Sequence, residues 1–303
     1  MNLFRRLQYS PFLVQLVVIR RCNLSCGYCN EYDEVSKPVP LDTLKERVDH
    51  IRRLGSFAVE FTGGEPMMHP EIHSLIAYAR QTNAFKKVMM ISNAYLFNEE
   101  KIQRLNDAGL QELQVSVDGV LPNDTTVKVL KPLRKKLEVL ARVANFRVVL
   151  SGVLGSAPAE EAMEVVKFAQ DHDFVPRVLV LHGPDGQFKL SPEELNAYEK
   201  IGHTMGRRFT EANDYRTRIM RTGSAEFKCR AGSRYIYVDE FGNAAWCSQT
   251  RDTFSKPLAE YTMADLKEQF QTKKSCNPGC TLGCARTCSG YDQWRSQPLA
   301  LSA

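Results

Sequence analysis

Apolar residues in the first 185 positions fall into two alternating patterns. Short unbroken runs, rich in Val, Ile and Leu, lie at Val14–Ile19, Ala58–Thr62, Val88–Ser92, Glu112–Val117, Arg147–Val153 and Arg177–Leu181. Runs of that kind suit strands covered on both faces, the usual state of a parallel sheet. Between them the spacing changes to that of amphipathic helices. In the first, Leu44, Val48 and Ile51 share a face, Thr43 and Glu46 are spaced as a capping box, and Gly55 marks the stop. Further helices are predicted over Pro70–Arg80, Asn98–Ala108, Lys128–Arg142 and Pro158–Gln170. Repeated βα units predict an α/β fold. Six units are too few to close the usual eight-stranded barrel. The expected architecture is an open, partial (β/α)6 barrel.

After Gly186 the pattern breaks. Ser191-Pro192-Glu193-Glu194 reads as a helix start, with Ser191 as N-cap and Pro192 in the first helical position, running to about Phe209. From Cys229 onward the chain is loop-rich and dense in cysteine, with a hairpin expected from Tyr235–Asp239 and Ala244–Cys247 around Gly242-Asn243. The predicted organisation is a barrel over 1–190, a helical linker over 191–228 and a small cysteine-rich C-terminal domain over 229–303. No internal repeat is evident.

Composition narrows the function classes. With 43% hydrophobic and 25% charged residues in 303, the chain is neither disordered nor fibrous. The apolar run Phe12–Ile19, interrupted by Gln15, is too short to span a bilayer and precedes no small-residue cleavage site, so a cytoplasmic protein without a membrane span is expected. Forty basic against 35 acidic residues, a net +5, fall short of a nucleic-acid-binding charge stripe, and no specific nucleic-acid binding is expected. Nine cysteines change the picture. In a reducing compartment, clustered thiols read as metal or redox ligands.

Cys22, Cys26 and Cys29 stand in a C-x3-C-x2-C spacing directly after the first predicted strand, with Tyr28 before the last. Three thiols are one fewer than tetrahedral zinc or an ordinary iron–sulfur cluster takes, which suggests a cluster with one open iron. A zinc knuckle completed by a distant ligand is the other reading. The motif resembles that of the radical S-adenosylmethionine (radical SAM) superfamily. That resemblance implies a radical-generating [4Fe–4S] cluster on the three thiolates, with S-adenosylmethionine chelating the fourth iron. Gly63-Gly64-Glu65-Pro66, at the end of the second predicted strand, resembles the family's GGEP segment, implied to bind the methionine amino group. Ser92-Asn93 and Ser116-Val117-Asp118, ending the third and fourth strands, resemble its ribose and carboxylate contacts, though each could equally be a strand-terminal cap. Ser151, Gly152, Leu181 and His182 are weaker candidates for the nucleoside wall.

Six cysteines remain: Cys229, Cys247, Cys276, Cys280, Cys284 and Cys288. Their pattern resembles the SPASM or twitch extension, which implies one or two auxiliary iron–sulfur clusters. It departs from that pattern in its C-x3-C-x3-C run and in having no cysteine after Cys288. The family's interleaved order implies Cys229, Cys247 and Cys288 on one cluster and Cys276, Cys280 and Cys284 on another; one four-thiol cluster, or structural zinc, stays open. Pro278, Gly279 and Gly283 favour a ligating loop over a helix with stacked thiols.

The resemblance implies an enzyme that reductively cleaves S-adenosylmethionine to a 5′-deoxyadenosyl radical and abstracts a substrate hydrogen. Peptide or protein modification is the expected use. The alternative is radical oxidation or rearrangement of a small molecule (an alcohol, a sugar or a cofactor precursor). A non-catalytic iron–sulfur or zinc protein is the reading from a different class. With its first cluster cysteine at residue 22, no fused N-terminal leader-recognition domain is expected. Such chemistry needs an electron donor such as flavodoxin or ferredoxin. The basic stretch Lys128, Lys131, Arg134, Lys135 and Lys136 reads as a solvated helix face, or as a dock for an acidic donor. His69 and His73, four apart, are read as loop and helix residues rather than a metal pair.

Overall fold

The computed structural model describes residues 8–181, 191–205 and 207–295. Six βα-type strands come first: β1 (Leu13–Ile19), β2 (Ala58–Gly63), β3 (Lys87–Ser92), β4 (Glu112–Ser116), β5 (Arg147–Leu154) and β6 (Val175–Val180). Helices α1 (Leu41–Arg53), α2 (Ile72–Gln81), α3 (Glu99–Asp107), α4 (Leu130–Val143) and α5 (Ala159–Asp171) connect them. Each strand pairs in parallel with its sequence neighbour. The sheet curves without closing, which is the open partial barrel expected from sequence. Two-sided burial explains the unbroken apolar runs: Val14, Leu16, Val17 and Val18 are fully buried. One face of each helix closes the core, as Leu44, Val48 and Ile51 do on α1 and Leu133, Leu137 and Leu140 on α4.

The sheet does not stop at β1. Strand β7 (Tyr235–Val238) pairs in parallel on the other side of β1, Leu13 facing Tyr235 and Leu16 facing Val238. Then β8 (Asn243–Ala245) and β9 (Ser255–Pro257) add antiparallel, for a strand order of β6-β5-β4-β3-β2-β1-β7-β8-β9 among the described residues. The expected hairpin is present, but its first strand belongs to the barrel sheet. Two helices, α6 (Pro192–Met205) and α7 (Arg207–Thr222), lie between β6 and β7. Helices α8 (Met263–Gln271) and α9 (Gly283–Gly290) follow β9. No helix among the described residues is long and apolar enough to cross a membrane.

Several local expectations need correction. Helix α1 begins at Leu41 behind Pro40, whose fixed φ starts the first turn, so Thr43 lies inside the helix and caps nothing. The helix after Ser191 is followed by a second one reaching Thr222, well past Phe209. Ser191 and Glu194 do form the reciprocal cap, Glu194 N–H to Ser191 Oγ at 3.2 Å and Ser191 N–H to Glu194 Oε2 at 2.7 Å. The last cysteine run is not all loop. Cys284 and Cys288 sit one turn apart on α9, because Gly283 occupies its first position rather than its interior. His182 lies outside the described residues.

A buried ion pair fastens the C-terminal segment to the start of β1. Arg234 Nε donates to Asp292 Oδ2 at 2.7 Å and its Nη1 to the carbonyl of Ser10 at 2.8 Å, while the guanidinium lies 4.4 Å from the Phe12 ring centroid. Removing one partner of such a pair strands a charge away from water. Asp292→Ala should therefore destabilise the protein by about 3 kcal/mol, read as a lower urea midpoint. A midpoint shift below a tenth of a molar would show that the pair does not fasten this seam.

Candidate active site

The chain leaves β1 at Ile19 and turns at once into the loop carrying Cys22, Cys26 and Cys29. What fixes this exit is the end of β2. Gly63 has φ +135°, and a Cβ there would lie 2.0 Å from the Ile19 carbonyl oxygen. A Cβ on Gly64 would lie 2.3 Å from the Arg20 oxygen and 2.4 Å from that of Arg21. No side chain fits at that separation. The close approach lets Gly64 N–H bond the Ile19 carbonyl at 2.9 Å and Glu65 N–H that of Arg21 at 3.0 Å. From the other side Cys22 N–H donates to Asp33 O at 3.0 Å, and within the loop Cys29 N–H donates to Cys26 O at 3.0 Å.

The three thiols line one cavity of about 190 Å³ at the C-terminal ends of the strands, where parallel α/β folds keep their ligands. Gly63, Gly64, Ser92, Asn93 and Ser116, all singled out from the sequence, line it with them. Burial pushes the Cys22 and Cys29 thiols up from their ordinary value. Asn93 Nδ2 reaches Cys22 Sγ at 3.7 Å and Asn23 Oδ1 at 2.9 Å, which orients the loop's first thiol. Among the described residues, no three His, Cys, Asp or Glu side chains converge tightly enough for a single metal ion. The donor set and the room between the thiols fit a larger group: three thiolates for three irons, with the polar Ser92, Asn93 and Ser116 and the bare backbone of Gly63-Gly64 around the remaining space.

Glu65, Pro66, Tyr28 and Asp118 are not among the lining residues, and each makes contacts within the protein. Glu65 is fully buried and its carboxylate takes hydrogen bonds from Met67 N–H (2.9 Å), Ser92 Oγ (2.8 Å) and Asn93 N–H (2.7 Å). It ties the end of β2 to the end of β3. Burial raises its pKa, and those three donors hold it down in part. Pro66 opens the 3-10 turn Pro66–Met68 that follows. Tyr28 donates to Asp118 Oδ2 at 2.7 Å, and so does Thr126 Oγ1. His69, buried, bridges Val39 O and Glu71 N–H, so it is structural.

Sequence reasoning missed Lys128, which lines the cavity. Its Nζ hydrogen-bonds Tyr28 Oη, lies 3.7 Å from Asp118 Oδ2 and 4.7 Å from the Tyr28 ring centroid. Burial works against its charge, but Asp118 and Tyr28 outweigh burial and raise its pKa. Glu31 was missed as well. It lines the same cavity, accepts from Tyr237 Oη of β7 at 2.6 Å and sits 3.6 Å from Arg251, so the C-terminal segment touches the thiol cavity directly.

The six remaining cysteines flank β7, Cys229 before it and the other five after it, and none forms a disulfide. Cys229, Cys247 and Cys288 are buried among Tyr235, Trp246 and Ala285, with Cys284 packed against them. Burial pushes the Cys247 thiol up to about 11 and those of Cys280 and Cys284 up to about 12. Neighbouring thiols add to this: Cys229 acts on Cys247, Cys276 and Cys280, and Cys284 on Cys288. Gln15 Nε2, inside the barrel, approaches Cys284 Sγ at 3.9 Å.

A family model described as the radical SAM superfamily matches residues 16–201. The chain is 28% identical over 170 residues to a PqqA peptide cyclase of Bradyrhizobium diazoefficiens, covering 54% of this chain and 44% of that protein. It is 26% identical over 210 residues to an AdoMet-dependent heme synthase of Methanosarcina barkeri, covering 64% and 57%. The chain thus spans about half the length of these curated relatives. Among solved structures, Streptococcus suis SuiB bound to its precursor peptide SuiA superposes with a TM-score of 0.68 at 15% identity, over 96% of this chain and 74% of that one. The fold is shared.

Because Glu65 is spent on the β2–β3 junction, its loss should register in stability before anything else. Glu65→Ala leaves the Asn93 and Met67 N–H groups and the Ser92 hydroxyl buried without their acceptor, at about 1–3 kcal/mol per group. The expected result is at least about 3 kcal/mol of destabilisation in the cofactor-free protein. Wild-type stability in that variant would instead leave Glu65 free to serve a ligand.

Proposed function

This chain belongs to the radical SAM superfamily, and from that premise we propose that it reductively cleaves S-adenosylmethionine and abstracts hydrogen from a peptide or protein. The observation that carries the reading is the single cavity on which Cys22, Cys26 and Cys29 meet Gly63, Gly64, Ser92, Asn93 and Ser116. Cys22, Cys26 and Cys29 would hold a [4Fe–4S] cluster there, and that cluster would supply the electron for reductive cleavage of S-adenosylmethionine.

The chain's own residues do the rest. Gly63 and Gly64 leave backbone bare for the methionine end, while Ser92 and Asn93, held by Glu65, present the polar rim of β3. Ser116 does the same on β4. Asp118 holds Tyr28 of the cysteine loop and lies 3.7 Å from Lys128, which lines the cavity. The C-terminal thiols are assigned to one or two auxiliary iron–sulfur clusters, with Cys229, Cys247 and Cys288 buried in one cluster of side chains and Cys284 against it.

A peptide substrate is supported by the PqqA peptide cyclase relative and by the fold shared with the peptide-bound SuiB. The heme synthase relative favours small-molecule oxidation as the second reading. We place the protein in the cytoplasm, where nine thiols stay free for metal, and expect it to draw electrons from a flavodoxin or ferredoxin.

The test is direct. Anaerobically reconstituted protein with dithionite and S-adenosylmethionine should yield 5′-deoxyadenosine, and the variant with Cys22, Cys26 and Cys29 all changed to Ala should yield none. Product from that triple variant sinks the assignment. Deuterium carried from a labelled peptide into 5′-deoxyadenosine would mark the peptide reading; label arriving from a small alcohol, and never from peptides, would replace it.

The same triple variant isolates the C-terminal thiols. They are neutral at pH 7, since burial holds Cys247 at about 11 and Cys280 and Cys284 at about 12. Metal takes up thiolates, so loading must release protons. Iron binding by the triple variant should tighten as pH rises from 7 to 8.5, by about tenfold per pH unit for each proton released. Binding that is independent of pH would mean these thiols are not the ligands.

A further inference from the structure

The loop between β4 and α4 forms the outer wall of the cysteine loop. Gly27 N–H donates to Thr125 O at 3.0 Å, and Thr126 is buried with its Oγ1 4.0 Å from Cys26 Sγ. Its neighbour Val127 is exposed, as is Leu121 at the loop's other end. Val127 thus faces solvent one residue from the Thr126 hydroxyl that approaches the Cys26 thiol.

Beside them rise three cations. Lys131 N–H bonds Val120 O at 3.0 Å, which sets the first turn of α4 against Leu121, and Arg134 and Lys135 follow on the next turn. All three are exposed. Lys128 and Arg142 have carboxylates, Asp118 and Glu99, and Lys136 donates to the Phe97 carbonyl. Among the described residues Lys131, Arg134 and Lys135 have no carboxylate partner. Lys131 also stands at the positive end of the helix dipole, where a carboxylate is favoured, and α4 has no acidic residue in its first turn. Within the loop, Asp124 is the one exposed carboxylate.

Exposed apolar side chains beside cations that no carboxylate offsets, with the Arg134 guanidinium 5.0 Å from the Phe168 ring centroid, suit brief docking of a protein of opposite charge. We propose that Leu121, Val127, Lys131, Arg134 and Lys135 form the docking surface for a small acidic one-electron carrier protein, which rests on the reading that a reducible cluster occupies the thiol cavity. The carrier would give up one electron and be oxidised, and a cluster held by Cys22, Cys26 and Cys29 would take it up and be reduced, with no proton or group transferred. Cys22, by contrast, is approached from the β3 side by Asn93. Dithionite, being small, reaches the cavity without this surface.

The probe is a purified acidic flavodoxin against the reconstituted holoenzyme. Its affinity should fall as salt is raised. Lys131→Glu/Arg134→Glu/Lys135→Glu should weaken it by about tenfold or more, while dithionite-driven formation of 5′-deoxyadenosine stays at the wild-type rate. Leu121→Ser/Val127→Ser, which leaves the charge untouched, should weaken it as well. Lys267→Glu/Lys273→Glu, on the C-terminal segment, should change it little. Unaltered flavodoxin affinity in the triple variant overturns the proposal. So does equal weakening by the Lys267 and Lys273 changes, because net charge and not this face would then be responsible. If wild-type protein makes no 5′-deoxyadenosine with dithionite, the enzymatic reading fails on its own, and the affinity measurement still decides the docking surface.

Discussion

Two glycines pressed against a carbonyl edge set the geometry around the thiol cavity. Gly63 and Gly64 let β2 end in contact with the backbone of Ile19, Arg20 and Arg21, at separations that no Cβ can occupy. The contact does more than permit a ligand to approach. It holds the three residues ahead of Cys22 to a fixed path, so the first thiol is placed by main chain and not by a flexible side-chain contact. Glu65, next in sequence, extends the constraint to β3 through Ser92 and Asn93. Asn93 returns it to Cys22. The cavity wall is a closed circuit of β1, β2 and β3, and a change at any of these residues moves the others.

On the far side the loop is held by charge. Asp118 accepts from Tyr28 and Thr126 and lies near Lys128, so the segment after β4 grips the loop between Cys26 and Cys29. A buried carboxylate with two hydroxyl donors and a cation beside it is costly to assemble and costly to break. Stiffness at this point has a chemical use: a loop that cannot relax keeps its thiols aimed inward and water out.

Much of this was legible in the sequence. Strands β1 to β6 announce themselves because burial on both faces leaves unbroken apolar runs. The cysteine loop and Gly63-Gly64 are legible because spacing and backbone freedom are local properties. Glu65 was located but its bonds to Ser92 and Asn93 were not, since a carboxylate looks the same in sequence whatever donors surround it. Lys128 was invisible as a cavity residue: only tertiary contact with Asp118 and Tyr28 distinguishes it from Lys131 on the solvated helix. The pairing of β7 with β1 has no sequence signal at all, because register between distant segments is decided by packing. Helix α9 was obscured by its glycines, which sit at its ends.

That distant pairing has a price in time. Strand β1 leaves the ribosome well ahead of β7, and the edge that Tyr235–Val238 will cover stays open until that later segment has been made. Among the described residues the sheet ends on that side at β9, three residues ending in Pro257, which offers little for another strand to join. The nascent chain has no such guard: its open edge is Leu13–Ile19, apolar for most of its length. Synthesis outrunning completion of the sheet therefore exposes a strand suited to self-association. Slowed translation at low temperature, or a chaperone that shields extended apolar segments, should decide how much of this protein is recovered in soluble form.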